Sequence, residues 1–330
     1  MAETPSRPSE FELIARHFAP LAEGAPGAAG LTDDVATFRP TPGCETVLTV
    51  DAMVEGVHFL AADPPALVGR KLLRVNLSDL AAKGAVPRTY LLALSLPDDI
   101  GESWIAGFAE GLARDQAEFG VVLSGGDTTS TPGATTLSLT AIGEAPEGTV
   151  IRRAGASPGD DIYVTGTVGD AGLGLKAMAE FGTDDALARW PDLVGRLRLP
   201  RPRVRLGPAL RGVASAAADI SDGIVADLGH ICLASGVGAN IEVEAVPLSE
   251  AAIRLLAERP DWRDAVLGGG DDYEILFTAP PGMASRLKGL SREYDTAITR
   301  IGVIAAGAGV TVRDAAGAVV TVRHDGWRHF

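Results

Sequence analysis

Apolar positions along the chain recur at two periods, and the switches between them mark out the elements. Helical spacing runs through "FELIARHFAPLA" (11–22), "PPALVGRKLLRVNLSDLAAKGA" (64–85) and "ESWIAGFAEGLARDQAEFG" (102–120). The second helix opens on prolines suited to a first turn, and the second and third both run into glycine. Between and after them lie β-rich runs: "TVLTVDAMV" (46–54), "RTYLLALSLP" (88–97), "VVLSGGDTT" (121–129), where a strand is expected to run into a glycine turn, and "ATTLSLTAIGE" (134–144). A Pro-Gly-Asp turn in "VIRRAGASPGDDIYVTG" precedes a fresh strand, and a domain boundary is expected there, giving domains 1–150 and 151–330. In the second half the pattern predicts helices over 170–181, about 201–213 and about 222–234, strands over 239–246 and 273–279, and a β-rich tail. This alternation predicts an α/β or mixed α+β class in two domains.

A length of 330 residues fits two domains of ~150 each. Hydrophobic residues at 46% and charged ones at 22% are ordinary for a globular chain and exclude a disordered one. Two cysteines, Cys44 and Cys232, cannot build a disulfide framework, so reduced, structural thiols are expected. The N-terminus lacks an apolar signal core, and no run approaches a membrane span of ~18 residues, so the expectation is a cytoplasmic protein without a membrane partner. The net charge of −14 argues against nucleic acid, which is bound by basic patches.

An acidic chain should also reject phosphorylated small molecules unless cations intervene. Aspartates beside small residues recur at five predicted element ends: "LTDDVA" (31–36), "LTVDAM" (48–53), "NLSDLAA" (76–82), "LSGGDTT" (123–129) and "ADISDGIVAD" (218–227). Each alone reads equally well as a turn or a solvated face, with Ser221 a good N-cap and Asp222 a first-turn acid. Together, with no lysine or arginine among them, they fit oxygen ligands for Mg²⁺ shared with phosphates. The glycine strings offer backbone N–H groups to phosphate oxygens. No G-x-x-x-x-G-K-[ST], H-E-x-x-H or C-x-x-C is present, which removes a P-loop and makes zinc a poor fit. His58 reads evenly as structural or functional. Arg152 and Arg153 read evenly as phosphate contacts or surface ion pairs.

The strings "DAMVEGVHF", "VNLSDLAAKGAVP", "LSGGDTT", "RRAGASPGD", "VTGTVGDAGLGL", "ADISDGIVADLGH" and "GGGDDYEILFT" together resemble, in order and spacing, the thiamine-monophosphate kinase family over nearly the whole chain. The resemblance implies the fold of aminoimidazole ribonucleotide synthetase: an N-terminal α/β domain that binds ATP and Mg²⁺ and dimerises through its sheet, and a C-terminal α/β domain completing the nucleotide and substrate site. It implies direct in-line transfer from ATP to thiamine monophosphate, with several Mg²⁺ ions and a homodimer. By matching motifs, Asp34, Thr49, Asp51, Asp79, Asp127, Asp219 and Asp222 are the implied magnesium ligands. Gly126, Asp127, Arg153 and Ser221 are the implied ATP contacts, and His58, Asp271 and Trp327 the implied substrate contacts. Asp227 matches the family string without a role and reads as structural. Three positions depart from the family pattern: Thr32 stands where glycine is usual, Val50 where a hydroxyl residue is common, and Asp271 where glutamate is frequent. Readings outside the family are another ATP-dependent synthetase of the same fold and a non-catalytic nucleotide or thiamine-phosphate sensor. The lack of a reactive N-terminal cysteine, the absence of a C-terminal one, and the retention of all six aspartates disfavour them.

Overall fold

A computed structural model describes residues 8–322 and Gly326. The chain divides into two compact units: residues 1–80 with 85–148, and residues 81–84 with 149–330.

The first unit holds α1 (Glu10–Leu13), β1 (Cys44–Val54), α2 (Pro65–Ala82), β2 (Val86–Leu96), α3 (Glu102–Phe119), β3 (Val122–Ser130) and β4 (Thr136–Pro146). Its sheet runs in the order β1-β4-β2-β3, with β4 antiparallel to both neighbours and β2 parallel to β3. One face is covered by the long helices. Leu80 of α2 lies against Gly143, Thr49 hydrogen-bonds Asp79, and the buried Leu92, Leu94, Leu137 and Leu139 point the same way. The helices meet each other backbone to backbone. A Cβ at Gly111 would stand 2.1 Å from the Ala66 carbonyl oxygen, so glycine at that position is what lets α3 reach α2. Beside this contact Arg70 and Arg74 share the fully buried Asp115, a charge tolerable inside only because it is paired.

The other face of this sheet is open at its β1 edge, while Leu91, Ala93, Ser138 and Thr140 on it line a cavity shared with residues 10–36. Alternation puts Leu48, Val50 and Ala52 there, and Val50 sits in one row with Thr140 and Leu91. Leu48 is 64% and Val50 61% exposed.

The second unit contributes β5 (Asp161–Thr165), α4 (Asp170–Phe181), α5 (Thr183–Arg189), α6 (Pro191–Arg198), β6 (Ala216–Asp219), α7 (Ile224–Ser235), β7 (Gly238–Glu242), α8 (Glu250–Glu258), α9 (Asp264–Gly268), β8 (Ile275–Ala279), α10 (Ala284–Glu293), β9 (Ile298–Ala305) and β10 (Gly309–Arg313). Its six-stranded sheet has the order β10-β7-β9-β5-β8-β6. The central strands are buried on both faces, and alternate residues serve different cores. Ile162, Val164, Ala216, Ala218 and Leu276 join the core built with α4 to α8, while Tyr163, Ala217, Ile275 and Phe277 join one built with Leu206, Leu210, Leu287 and Leu290. Two-sided burial explains why these strands read as unbroken apolar runs.

The architecture is mixed α/β, as the alternation of periods predicts, and several local expectations change. The N-terminal helix is broken into α1, a π turn over Ile14–Phe18 and a 3₁₀ turn over Ala19–Ala22 with Pro20 near its start. "SGGDTT" is not a turn: β3 runs through it. No α-helix spans 201–213; Pro200, Pro202 and Pro208 withhold N–H groups there, leaving one 3₁₀ turn at Gly207–Leu210. Among the described residues no helix is long and apolar enough to cross a membrane.

Candidate functional site

In the first unit the sequence-predicted residues gather in two places. Asp51 lies on the helix-covered face of β1, opposite Leu139. Its backbone N–H donates to Oδ1 of Asn76 at 3.2 Å, and Asn76 is itself wholly buried, its Nδ2 donating to the Leu72 carbonyl at 2.9 Å. One turn along α2, Asp79 accepts a hydrogen bond from the Thr49 hydroxyl. Burial first, and the neighbouring Asp79 carboxylate second, push the Asp51 carboxyl up to about 6. Thr49, Asp51 and Asp79 are thus one oxygen-only cluster.

Asp34 and Asp127 line a different place, a cavity of about 640 Å³ that also takes in Asp33, Gly125, Gly126, Ser138 and Thr140. Asp127 pairs with Ala93, one step along from the Leu92–Gly126 pair, so the register sets Asp51 and Asp127 on opposite faces of the sheet. Gly126 has a steric reason to be glycine: a Cβ there would stand 1.9 Å from the Leu92 carbonyl oxygen. His58 follows β1, and its Nδ1 accepts the Val54 N–H at 3.0 Å. That bond leaves the proton on Nε2, making the neutral ring a donor on its other side.

In the second unit two loops are clipped together. The backbone N–H of Asp271 donates to the Ser221 carbonyl at 2.9 Å, that of Tyr273 to the Ile220 carbonyl at 2.8 Å, and that of Ile220 to the Glu274 carbonyl at 3.0 Å. A Cβ at Gly270 would lie 2.5 Å from the Ser221 carbonyl oxygen, so the approach needs glycine. Asp271 (φ 61°) and Tyr273 (φ 52°) occupy the left-handed region, a strained conformation for such residues. Two carboxylates between and beside them hold it. Asp272, 2% exposed, accepts the Gly169 N–H at 2.7 Å and the Ala171 N–H at 3.4 Å at the start of α4. Glu274, fully buried, meets Arg196 at 2.9 Å, Arg203 through Nε at 2.6 Å and the Thr165 hydroxyl at 2.6 Å. The Tyr273 hydroxyl donates to Asp271 Oδ1 at 3.0 Å.

The partner loop carries Asp219, the buried last residue of β6, then Ser221 and Asp222. Ser221 is not the N-cap of α7, contrary to the expectation above; Gly223 is, at φ 122°. Asp222, Asp227 and His230 each bring a ligand atom within 4.8 Å of the others, a grouping in which the sequence reading gave His230 no part. Their spacing, Asp227 and His230 three apart on one helix face, is the signal that could have found it. Arg153 is close enough to act electrostatically on Asp227. Trp327 lies outside the described residues.

Each of the two units matches a known family. Residues 32–145 match the family "AIR synthase related protein, N-terminal domain" and residues 157–315 the family "AIR synthase related protein, C-terminal domain". Within that class, a thiamine-monophosphate kinase of Caulobacter vibrioides is 43% identical over 98% of this chain and 91% of its own length. The chain belongs to the thiamine-monophosphate kinase family and is an enzyme of that class. The crystal structure of the thiamine-monophosphate kinase from Stenotrophomonas maltophilia K279a superposes with a TM-score of 0.82 at 42% identity, covering 90% of this chain and 96% of that one. A structure described as AaThiL complexed with AMPPCP and TMP has a TM-score of 0.76 at 32% identity over 97% of both chains.

Proposed function

We propose that this chain transfers the γ-phosphoryl group of ATP to thiamine monophosphate, forming thiamine diphosphate by direct in-line displacement with Mg²⁺. The observation that carries this reading is the likeness, over 97% of both chains, to a protein solved with AMPPCP, an ATP analogue, and TMP together. The donor chemistry agrees. Thr49, Asp51 and Asp79 offer only oxygen, and the buried Asp51 carboxyl, lifted first by burial and then by the Asp79 charge, is one that a hard divalent cation would stabilise in its ionised form. On this reading Asp34, Thr49, Asp51, Asp79, Asp127, Asp219 and Asp222 hold magnesium, which when bound neutralises the phosphate oxygens.

The chain's own residues then have positioning work to do, the main requirement of phosphoryl transfer. Gly126, Asp127, Arg153 and Ser221 contact ATP, the arginine supplying a charge-assisted donor to phosphate. His58, with its proton fixed on Nε2, donates to the phosphate of the acceptor. Asp271, its carboxylate steadied by the Tyr273 hydroxyl, faces the cationic end of thiamine phosphate, and Trp327 offers it an aromatic face. The acceptor is a phosphate oxygen already ionised near neutral pH, so no strong general base is required. Residues 1–150 serve ATP, Mg²⁺ and dimerisation and residues 151–330 supply further nucleotide and substrate contacts. The enzyme works as a cytoplasmic homodimer.

The test is direct: purified protein with ATP, Mg²⁺ and thiamine monophosphate, with thiamine diphosphate measured by chromatography. Product that vanishes with EDTA and is absent with unphosphorylated thiamine is expected. No product, or equal turnover of thiamine, overturns the assignment.

A further inference from the structure

Asp227 sits one turn inside α7, is 1% exposed, and is not among the magnesium ligands named in the proposed function. Its Oδ2 accepts three backbone hydrogen bonds: from Ser221 at 3.1 Å, Asp222 at 3.1 Å and Gly223 at 3.2 Å. Those three N–H groups precede the helix, whose own ladder opens with the Asp227 N–H donating to the Gly223 carbonyl at 3.0 Å. An ordinary helix start leaves such donors to an N-cap side chain or to water. Here a single carboxylate oxygen collects them from behind. Other backbone groups of the turn are engaged too: the Ile220 N–H donates to the Glu274 carbonyl, the Ile220 carbonyl takes the Tyr273 N–H and the Ser221 carbonyl takes the Asp271 N–H. Position 223 needs glycine, with φ at 122° and a Cβ there set to meet Gly268 Cα at 2.9 Å.

Every residue of the turn from 220 to 223 is thus tied down through its backbone N–H, and the polar side chains it carries are those of Ser221 and Asp222, next to Asp219 at the end of β6. The Asp222 carboxylate lies within 4.8 Å of Asp227, and burial first and this like charge second raise the Asp227 carboxyl to about 7, against the pull of the Asp222 and Gly223 N–H groups and of Arg153. We propose that Asp227 is a positioning residue: its carboxylate fixes the 220–223 turn so that Asp222 is aimed, beside Asp219 at the end of β6, for a divalent cation, without itself touching nucleotide or thiamine phosphate. This rests on the reading above that Asp219 and Asp222 hold the cation.

Mn²⁺ alone, added to the full chain without nucleotide and followed by electron paramagnetic resonance, reads the site independently of turnover. Loss of a buried group that orients a metal ligand lowers metal affinity about 10- to 100-fold. Asp227→Ala is expected to weaken the tightest Mn²⁺ site by at least about tenfold, with far-UV circular dichroism unchanged. Asp227→Asn, which keeps an acceptor oxygen for the three N–H groups, is expected to recover part of that loss. If the alanine variant does not fold, the asparagine variant decides by the same isotherm. Wild-type Mn²⁺ affinity in the folded variants, even with a lowered melting temperature, overturns the proposal. Asp222→Asn separates the two layers of argument. If Asp222→Asn weakens Mn²⁺ while the Asp227 variants do not, only the positioning role falls. If Asp222→Asn leaves Mn²⁺ binding untouched, the reading of the loop as a cation holder falls with it.

Discussion

Buried carboxylates do most of the work that glycine strings and aspartate clusters only hint at. Asp272 is the clearest case, because burial pushes its carboxyl up to about 8, against the pull of the Gly169 and Ala171 N–H groups and of Arg196, with Asp170 adding to the rise. In the unfolded chain the same carboxyl ionises near ~3.9. Between those values the folded state binds more protons than the unfolded one, so the contribution of this group to stability falls as pH rises from about 4 to about 8. One proton sets the limit, ~1.4 kcal/mol per pH unit. Asp272→Asn keeps an acceptor for the Gly169 N–H and removes the titration, so urea unfolding at pH 5 and pH 8 should show wild type losing ground to the variant at the higher pH. A difference independent of pH would refute this. The string "GGGDDYE" made the pair of aspartates visible but not their division of labour, since alternation through a strained loop sends Asp271 one way and Asp272 the other. Asp227 was legible as structural from its place a turn beyond Asp222. Its three hydrogen bonds were not, because they depend on a turn shape that Gly223 alone permits.

Among elements, the long helices and strands of the first unit follow from their periodicity, and α2, β1 and β4 fall within a few residues of the expected spans. Where expectation failed, composition had been read without its neighbours. Glycines in "SGGDTT" suggested a turn, yet β3 stays extended through them beside β2. Their role there is steric: parallel pairing brings the Leu92 carbonyl against the bare Cα of Gly126. Gly126→Ala must therefore push β2 and β3 apart, at a cost of about 1–3 kcal/mol as in other overpacked interiors. The expected readout is a lower melting temperature even without ligand. An unchanged melting temperature with a raised KM for ATP would instead reduce Gly126 to a nucleotide contact. Proline-rich 201–213 failed in the opposite sense, since apolar spacing cannot form a helix where the N–H groups are missing.

At the scale of the molecule, net charge and absent motifs narrowed the chemistry, while the seven strings in order carried the family. What one chain's sequence could not display is the surface left over after each core is built. The first unit's sheet is covered by α2 and α3 on one face, and at its β1 edge the other face exposes Leu48 and Val50, alternating on that strand, with Leu91 beside them at the rim of the cavity described above. Contiguous exposed apolar residues on a flat sheet face are costly in water and mark association surfaces. A second copy of the same face is the occupant that fits, because a two-fold interface is self-complementary and needs no other partner. Leu48→Lys plants a charge in that face, and because the position is exposed in the single chain it should leave the fold intact. Light scattering coupled to size-exclusion chromatography should find the wild type at twice the chain mass and the variant at the chain mass, with the same circular dichroism spectrum. A variant that remains dimeric would move the interface away from this face, and a monomeric wild type would remove the dimer altogether.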